Sequence, residues 1–406
     1  MAVTATVLTA CGNDGSTGAQ PQTLRGDVVP VQSGQLTASD VATAQTRFGV
    51  DLLSAVCADR PGENVLLSPT SAAEALSLLY PAAAGRTAED VAAVLHLPTW
   101  SPDLVAAFHE HTRALDGLRH DGDPAVDDAP DSLQLSNRLW TAPDLRPDPG
   151  YLDDLATAFD AGVQALDFAG DPGGATDRIN AAISEDTRGL IEKLFDDPLE
   201  RHTRAVLTNA LHLEARWATP FTGTVPAPFR TPSGEVTADM MHGSAGVSRT
   251  VDGWRSVELP YRDGTLTMLA VLPPEGTDPC AVDAAPLLAL QDAEPAPEHV
   301  GIALPRLRFE QTHELLGVLA ELGLPTTGDY SALSEDELEI ARVVQKTYLD
   351  VDEEGTEAAA ATGVVAEAVN GAEPRAQVVT FDRPYLLLIA DTQTRSPLFL
   401  AVVASP

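Results

Sequence analysis

Apolar positions in this chain follow a helical period early and a strand period late. From about Ala38, Phe48, Leu52, Leu53 and Val56 recur at helix-compatible spacing. Asn64 to Leu67 then reads as a short strand ended by Ser68-Pro69, and the small apolar run Thr70 to Tyr80 suits a buried helix. Gly85 to Asp90 reads as a helix stop and a Thr-capped start. Residues 101–120 form an amphipathic helical pattern, followed by an acidic loop from Asp121 to Asp131. Leu133 to Thr141 reads as a strand, and 148–161 and 175–187 as helices, with Phe168 between them in a strand-like run. Thr203 to Trp217 is long, apolar and rich in β-branched residues, which predicts a central strand. Val257 to Pro260 and Thr265 to Leu272 alternate around an Arg262-Asp263-Gly264 turn. Residues 274–298 read as a Pro/Ala/Asp-rich surface insertion, with a helical turn possible at Leu287 to Leu290. Strands are expected at Ile302 to Phe309 and Val343 to Val351 and across Arg383 to Ala404, with a helix over Glu314 to Leu322. No internal repeat is visible. Helices early and strands late predict an α+β fold.

Size and charge narrow the functions. The chain has 406 residues, 44% of them hydrophobic, which is ample for a buried core. Its 60 acidic residues against 25 basic give a formal net charge of −35. Such a chain repels nucleic acid and anionic lipid, so neither is an expected partner. The acidity otherwise reads as a solvated surface.

Three cysteines cannot make a disulfide framework. Cys57 lies in an apolar stretch and reads as a buried thiol; Cys280 lies in the loop-like Thr277-Asp278-Pro279-Cys280, and a bridge between the two is the alternative. Cys11 ends the run Leu8-Thr9-Ala10-Cys11 and precedes a Gly/Ser/Asn/Asp stretch. That pattern resembles a bacterial lipobox, which predicts a signal segment over 1–11, a lipid on Cys11 and a flexible tether over 12–38. The run is too short to span a bilayer, which takes about 20 apolar residues, and it lacks a basic leader. A plain N-terminal tail is the rival. Residues 39–406 are expected to form one domain.

Catalytic motifs do not stand out. Gly243-Ser244-Ala245-Gly246 lacks the glycine two residues before its serine that a nucleophile elbow needs. No phosphate loop or dinucleotide fingerprint occurs. His109-Glu110-His111 sets two imidazoles on different helix faces, a poor metal clamp. Neither a metal, a cofactor nor an enzyme activity is expected.

One segment carries a mechanism. Residues 353–369 are Ala-rich, and propensity alone favours a helix or linker. Every second residue from Thr356 (Thr356, Ala358, Ala360, Thr362, Val364, Ala366, Ala368) is small and uncharged, while Glu357 and Glu367 fall in the other register. Laid down as a strand, the segment buries one register and leaves both glutamates in solvent. It contains no proline, so every residue can join a hydrogen-bond ladder.

The run Asp352-Glu353-Glu354-Gly355-Thr356-Glu357-Ala358-Ala359-Ala360-Ala361-Thr362 resembles the serpin hinge nearly residue for residue. Other segments resemble serpin motifs in the expected order: Asn64 to Leu78, Leu207-Thr208-Asn209-Ala210 with Trp217 and Pro220-Phe221, Pro228-Phe229, Met240-Met241-His242, Leu304-Pro305-Arg306, Phe381 to Tyr385 and Ser396 to Phe399. The resemblance implies a serpin fold: helices around a large central sheet plus smaller sheets, with an exposed reactive-centre loop over about 353–380. It implies an irreversible suicide-substrate inhibitor of serine proteases, with cysteine proteases also open. The protease cleaves the loop, is acylated, and is trapped as the hinge inserts into the main sheet. The partner is then the target protease in a covalent acyl complex, bound by a monomer at the outer face of the cell.

Counting seventeen residues from Glu353, the length usual in that family, places the scissile bond at Val369-Asn370. Valine suits elastase-like or subtilisin-like enzymes. The stretch to Pro384 is a few residues longer than is common in the family, so Ala368 or another neighbour, and Arg375 as a trypsin-type bait, stay open. Ser68, Ser71 and Asn209 match residues that hold the sheet where it parts. Gln345 stands where the family often has histidine, and it can still donate and accept with the pH response lost. Arg306 and Glu353 match a pair that can bridge at the top of the sheet, or that simply stabilises the fold. No basic patch lies on 101–120, so no heparin-like cofactor is expected. A non-inhibitory binding protein of the same fold and a lipid-anchored ligand-binding protein are the alternatives.

Overall fold

The structure, a computed structural model, describes residues 22–119, 131–189, 191–296, 300–356 and 377–406. Eight α-helices lie among them: α1 (Ala38–Asp59), α2 (Pro69–Ser77), α3 (Gly85–Val94), α4 (Pro102–Asp116), α5 (Pro149–Phe159), α6 (Pro172–Asp186), α7 (Ala284–Asp292) and α8 (Leu316–Glu321). Five of their starts follow from capping chemistry; α3 is not among them, because Ala84 precedes it and Thr87 lies inside it instead of capping it as expected. Thr37 and Asp40 close a reciprocal capping box on α1. Ser68, Ser101, Asp148 and Asp171 cap α2, α4, α5 and α6, each followed by proline in the first turn. All nine residues of α2 are buried, which explains its small side chains: it runs between sheets.

Among the described residues seventeen strands make two sheets. The first holds β1 (Gln22–Leu24), β3 (Ser132–Thr141), β4 (Val163–Ala165), β5 (Ala205–Arg216), β11 (Leu307–Glu314), β12 (Thr327–Gly328), β13 (Leu338–Val351) and β14 (Gly355–Thr356). Its order is β1-β4-β3-β5-β14-β13-β11, with β12 on β13. The second holds β2 (Val65–Leu67), β6 (Gly223–Thr231), β7 (Gly234–Val251), β8 (Trp254–Pro260), β9 (Leu266–Leu272), β10 (Val300–Pro305), β15 (Val378–Thr380), β16 (Tyr385–Asp391) and β17 (Pro397–Val403). Its order is β15-β10-β7-β8-β9-β16-β17-β2, with β6 on β7. Ala205 to Leu213 are buried in succession, as expected of a strand covered on both faces. The expected mixture of helices around a large sheet is the fold observed.

Three local expectations are corrected. Ile302 to Phe309 is two strands in different sheets, because the chain turns at Arg306, whose N–H donates to the Asp239 carbonyl. The predicted tether is packed from Gln22 onward: β1 pairs antiparallel with β4 at the edge of the first sheet. Beyond it, Asp27 and Val29 donate backbone N–H to Asp153 Oδ1 and Thr157 Oγ1 of α5. Cys57 is not a free thiol: it is disulfide-bonded to Cys280, joining the last turn of α1 to the start of the 274–298 insertion. Its apolar surroundings suit either state, so the local pattern did not separate them. Cys11 lies outside the described residues.

Replacing both Cys57 and Cys280 with alanine is expected to cost about 2–4 kcal/mol of stability, the usual effect of losing a long-range bridge. Denaturant melts with and without reductant check this: the reduced protein should match the double variant.

Candidate functional site

The seam between β5 and β13 is where the candidate residues meet. The two strands pair in parallel from Ala205 to Leu211, facing Ile340 to Thr347. Above Leu211 this pairing ends, and β14 occupies the gap, with Thr356 opposite Ala215 and Gly355 opposite Arg216. The root of the hinge is therefore already seated at the top of the sheet.

That seating is specified by sequence. Asp352 Oδ1 accepts from the N–H groups of Glu354 and Gly355, turning the chain from β13 into β14. Trp217 donates its backbone N–H to the Glu354 carbonyl and its indole N–H to the Asp352 carbonyl, both at 2.9 Å. Phe221 N–H donates to the Glu353 carbonyl. A Cβ on Gly355 would stand 2.1 Å from the Ala215 carbonyl oxygen, so only glycine fits. Thr356 is buried, and its hydroxyl lies 2.6 Å from the Tyr261 hydroxyl; the Tyr261 ring stacks on Trp217. Thr356 is the first member of the register that the sequence assigns to the buried face. Glu357, Ala358, Ala359, Ala360, Ala361 and Thr362, the bait candidates Ala368, Val369 and Asn370, and Arg375 lie outside the described residues.

Arg306 and Glu353 do bridge. The guanidinium donates from Nε and Nη2 to the two carboxylate oxygens at 2.8 and 2.5 Å, and Thr224 donates to the same carboxylate. Burial alone would raise the Glu353 carboxyl, but these hydrogen bonds outweigh it and hold it below the ordinary range.

Midway down the seam, Ser68, Ser71, Asn209 and Gln345 are fully buried together. Gln345 donates from Nε2 to Asn209 Oδ1 (2.7 Å) and to the Ser68 carbonyl (2.9 Å), and accepts the Ser68 N–H at Oε1. Ser71 reaches Asn209 Oδ1 at 3.3 Å and Asn137 Oδ1 at 3.0 Å. The four residues are thus joined, and each strand of the seam is tied to the head of α2. Asn137 of β3 and Glu74 of α2, which accepts from Asn137 Nδ2 at 2.7 Å, belong to it and were not singled out from sequence. Their signal was a charged residue within an otherwise uncharged helix and a mid-strand asparagine.

Two further features are visible only in three dimensions. Asp131, at the head of β3, accepts from the Arg216 N–H at the hinge entry and exchanges backbone-to-carboxylate bonds with Asp263. Burial first, then the nearby Asp263 charge, push its carboxyl up to about 6 against the hydrogen bonds. Ser396, His111 and Glu74 also line up as hydroxyl, imidazole and carboxylate, with Ser396 Oγ 2.7 Å from Nε2 and Glu74 Oε1 3.2 Å from Nδ1. The arrangement resembles a nucleophilic triad, but Ser396 and His111 are wholly buried, so no substrate reaches them. His109 faces the other way, onto the Thr157 carbonyl. Among the described residues no cluster could hold a metal, and no helix is long and apolar enough to cross a membrane.

Residues 43–406 match the family model described as serpin (serine protease inhibitor). An uncharacterized serpin-like protein of Thermococcus kodakarensis is 31% identical over 377 residues, covering 90% of this chain and 86% of the relative. The leukocyte elastase inhibitor of Bos taurus is 31% identical over 388 residues, covering 90% and 99%. Among solved structures, the native state of the thermophilic serpin tengpin superposes with a TM-score of 0.80 at 21% identity, covering 96% of this chain and all of that one. Human thyroxine-binding globulin with bound thyroxine matches at 0.74 and 25%, covering 91% and 99%.

Removing the Asn209 side chain leaves Gln345 and Ser71 short of a buried partner, so Asn209→Ala is expected to cost about 1–3 kcal/mol, read by denaturant unfolding. Asp131 gives a pH test. Its pKa is higher folded than unfolded, so its ionisation opposes folding: the cost is absent below about pH 4 and complete above about pH 6. Asp131→Asn should therefore raise the thermal midpoint more at pH 7.5 than at pH 4.

Proposed function

Because the chain belongs to the serpin family, we propose that it is an irreversible inhibitor of serine proteases, acting as a suicide substrate through the loop that follows Thr356. The observation that carries this reading is the hinge root. Thr356 is buried in the gap between β5 and β13, and the alternating residues after it are small and uncharged, so continued insertion meets no charge that must be buried. The bait is Val369-Asn370, presented to elastase-like or subtilisin-like enzymes; a similar chain is named leukocyte elastase inhibitor. The chain supplies no catalytic group of its own. The protease's nucleophile attacks the bait carbonyl, the loop inserts before the acyl bond hydrolyses, and the displaced enzyme stays attached. The reading includes a monomer that acts outside the cell, held to the membrane by a lipid on Cys11. The Cys57–Cys280 disulfide supports an oxidising compartment.

Incubation with an elastase-like or subtilisin-like protease is expected to give an SDS-stable complex whose mass is that of the enzyme plus the cleaved chain. Mass spectrometry of the released C-terminal peptide then reports the bait bond. Cleavage by every protease tested with no complex would overturn the proposal. It would favour a non-inhibitory binding role, for which the likeness to thyroxine-binding globulin is the supporting observation. Thr356→Arg sets a charge against Tyr261 and should turn the inhibitor into a substrate: cleavage continues while complex yield falls at least tenfold.

A further inference from the structure

We propose that His111 and Glu74 form a proton-operated latch on the sheet-opening network, closed when the imidazole is protonated. The inference rests on the reading that the β5–β13 seam opens, not on protease inhibition.

The case is a count of hydrogens. Thr394 Oγ1 gives its hydrogen to the Asp391 carboxylate. Three further contacts then run in series. They are Thr394 Oγ1 to Ser396 Oγ at 2.5 Å, Ser396 Oγ to His111 Nε2 at 2.7 Å, and His111 Nδ1 to Glu74 Oε1 at 3.2 Å. A neutral imidazole and the Ser396 hydroxyl bring two hydrogens to these three contacts, so one is always unfilled. A protonated imidazole brings the third and sets a positive charge beside a buried carboxylate. Glu74 Oε1 and His111 Nδ1 have no hydrogen-bond partner otherwise, and both residues are buried.

The other end of Glu74 reaches the seam. Its Oε2 holds Asn137 Nδ2, Asn137 Oδ1 shares the Ser71 hydroxyl with Asn209 Oδ1, and Asn209 Oδ1 holds Gln345 Nε2. Parting β5 from β13 breaks the Gln345–Asn209 bond and strains the contacts that β3 and β5 make with α2. Anchoring Glu74 to α4 and to the turn before β17 stiffens α2 against that strain.

The remaining charges near the imidazole are already engaged. Asp391 is spoken for by Thr394 and the backbone of its own turn. Across a cavity of about 610 Å³ that reaches Glu74, Arg138 pairs with Asp186, Arg25 with Asp160, and Arg119 with Asp116. Glu185 and Arg188 line its far wall on α6 and the turn after it. On α4 itself, Glu110 accepts from Ser33 and His109 faces Thr157; α1 presents the uncharged Gln45, which accepts from Thr70. The cavity gives protons a path to Glu74.

The test is uptake of a synthetic Thr356–Val369 peptide by the full chain, timed at pH 8.0 and pH 5.5. Wild-type uptake should be about tenfold slower at the lower pH. His111→Gln and Glu74→Gln should each bring the ratio of the two rates close to one. Asp131 and His313, whose imidazole burial pushes down to about 4, are intact in all three proteins, so the comparison removes their contribution. A wild-type ratio near one, or a tenfold ratio retained in either folded variant, overturns the latch while leaving sheet opening intact. If His111→Gln fails to fold, Glu74→Gln decides alone. Absence of uptake at both pH values in the wild type overturns the sheet-opening reading and the latch with it.

Discussion

At the middle of the β5–β13 seam, neighbouring strands are joined through side chains, above all by the hydrogen bond from Gln345 to Asn209. The strands are laddered through it as far as Leu211 and Thr347; beyond that they part around the hinge root. A parallel pair in the interior of a sheet is normally held by its backbone ladder and apolar contacts. Here its centre is held by side-chain amides resting on the head of a buried helix. Such amides can exchange partners without exposing apolar surface, whereas separating two valines opens a void that nothing fills at once.

Much of the fold was legible in the sequence, because burial and period are local properties. The unbroken apolar run of β5 and the small residues of α2 each announce how many faces are covered. The hinge residues Glu353 to Thr356 came through family likeness, and the structure supplies a reason for the local pattern: a glycine that no Cβ could replace, after an aspartate that turns the chain. Ser68, Ser71, Asn209 and Gln345 came through family likeness, and the structure brings all four together.

What escaped was relational. Glu74, His111 and Ser396 are far apart in the chain, and none is unusual alone; only packing α4 against α2 and the β16–β17 turn makes them neighbours. Asp131 sits beside an acidic loop and reads as part of it, yet its carboxylate faces inward onto the β5 backbone. β1 was missed because its three residues carry little apolar content; an edge strand is held by its ladder to β4 more than by burial. The Cys57–Cys280 pairing escaped because apolar surroundings welcome a thiol and a disulfide equally.

That disulfide says something about where motion is allowed. On the proposed reading, the strand that enters the sheet must push against something that does not yield. The covalent link ties the first helix to the segment after β9, closing a ring that contains α2, β3 and β5. The hinge, β13 and the two C-terminal strands lie outside that ring. Chain order thus places β5 inside the cross-linked ring and β13 outside it, and β14 sits at the boundary between them.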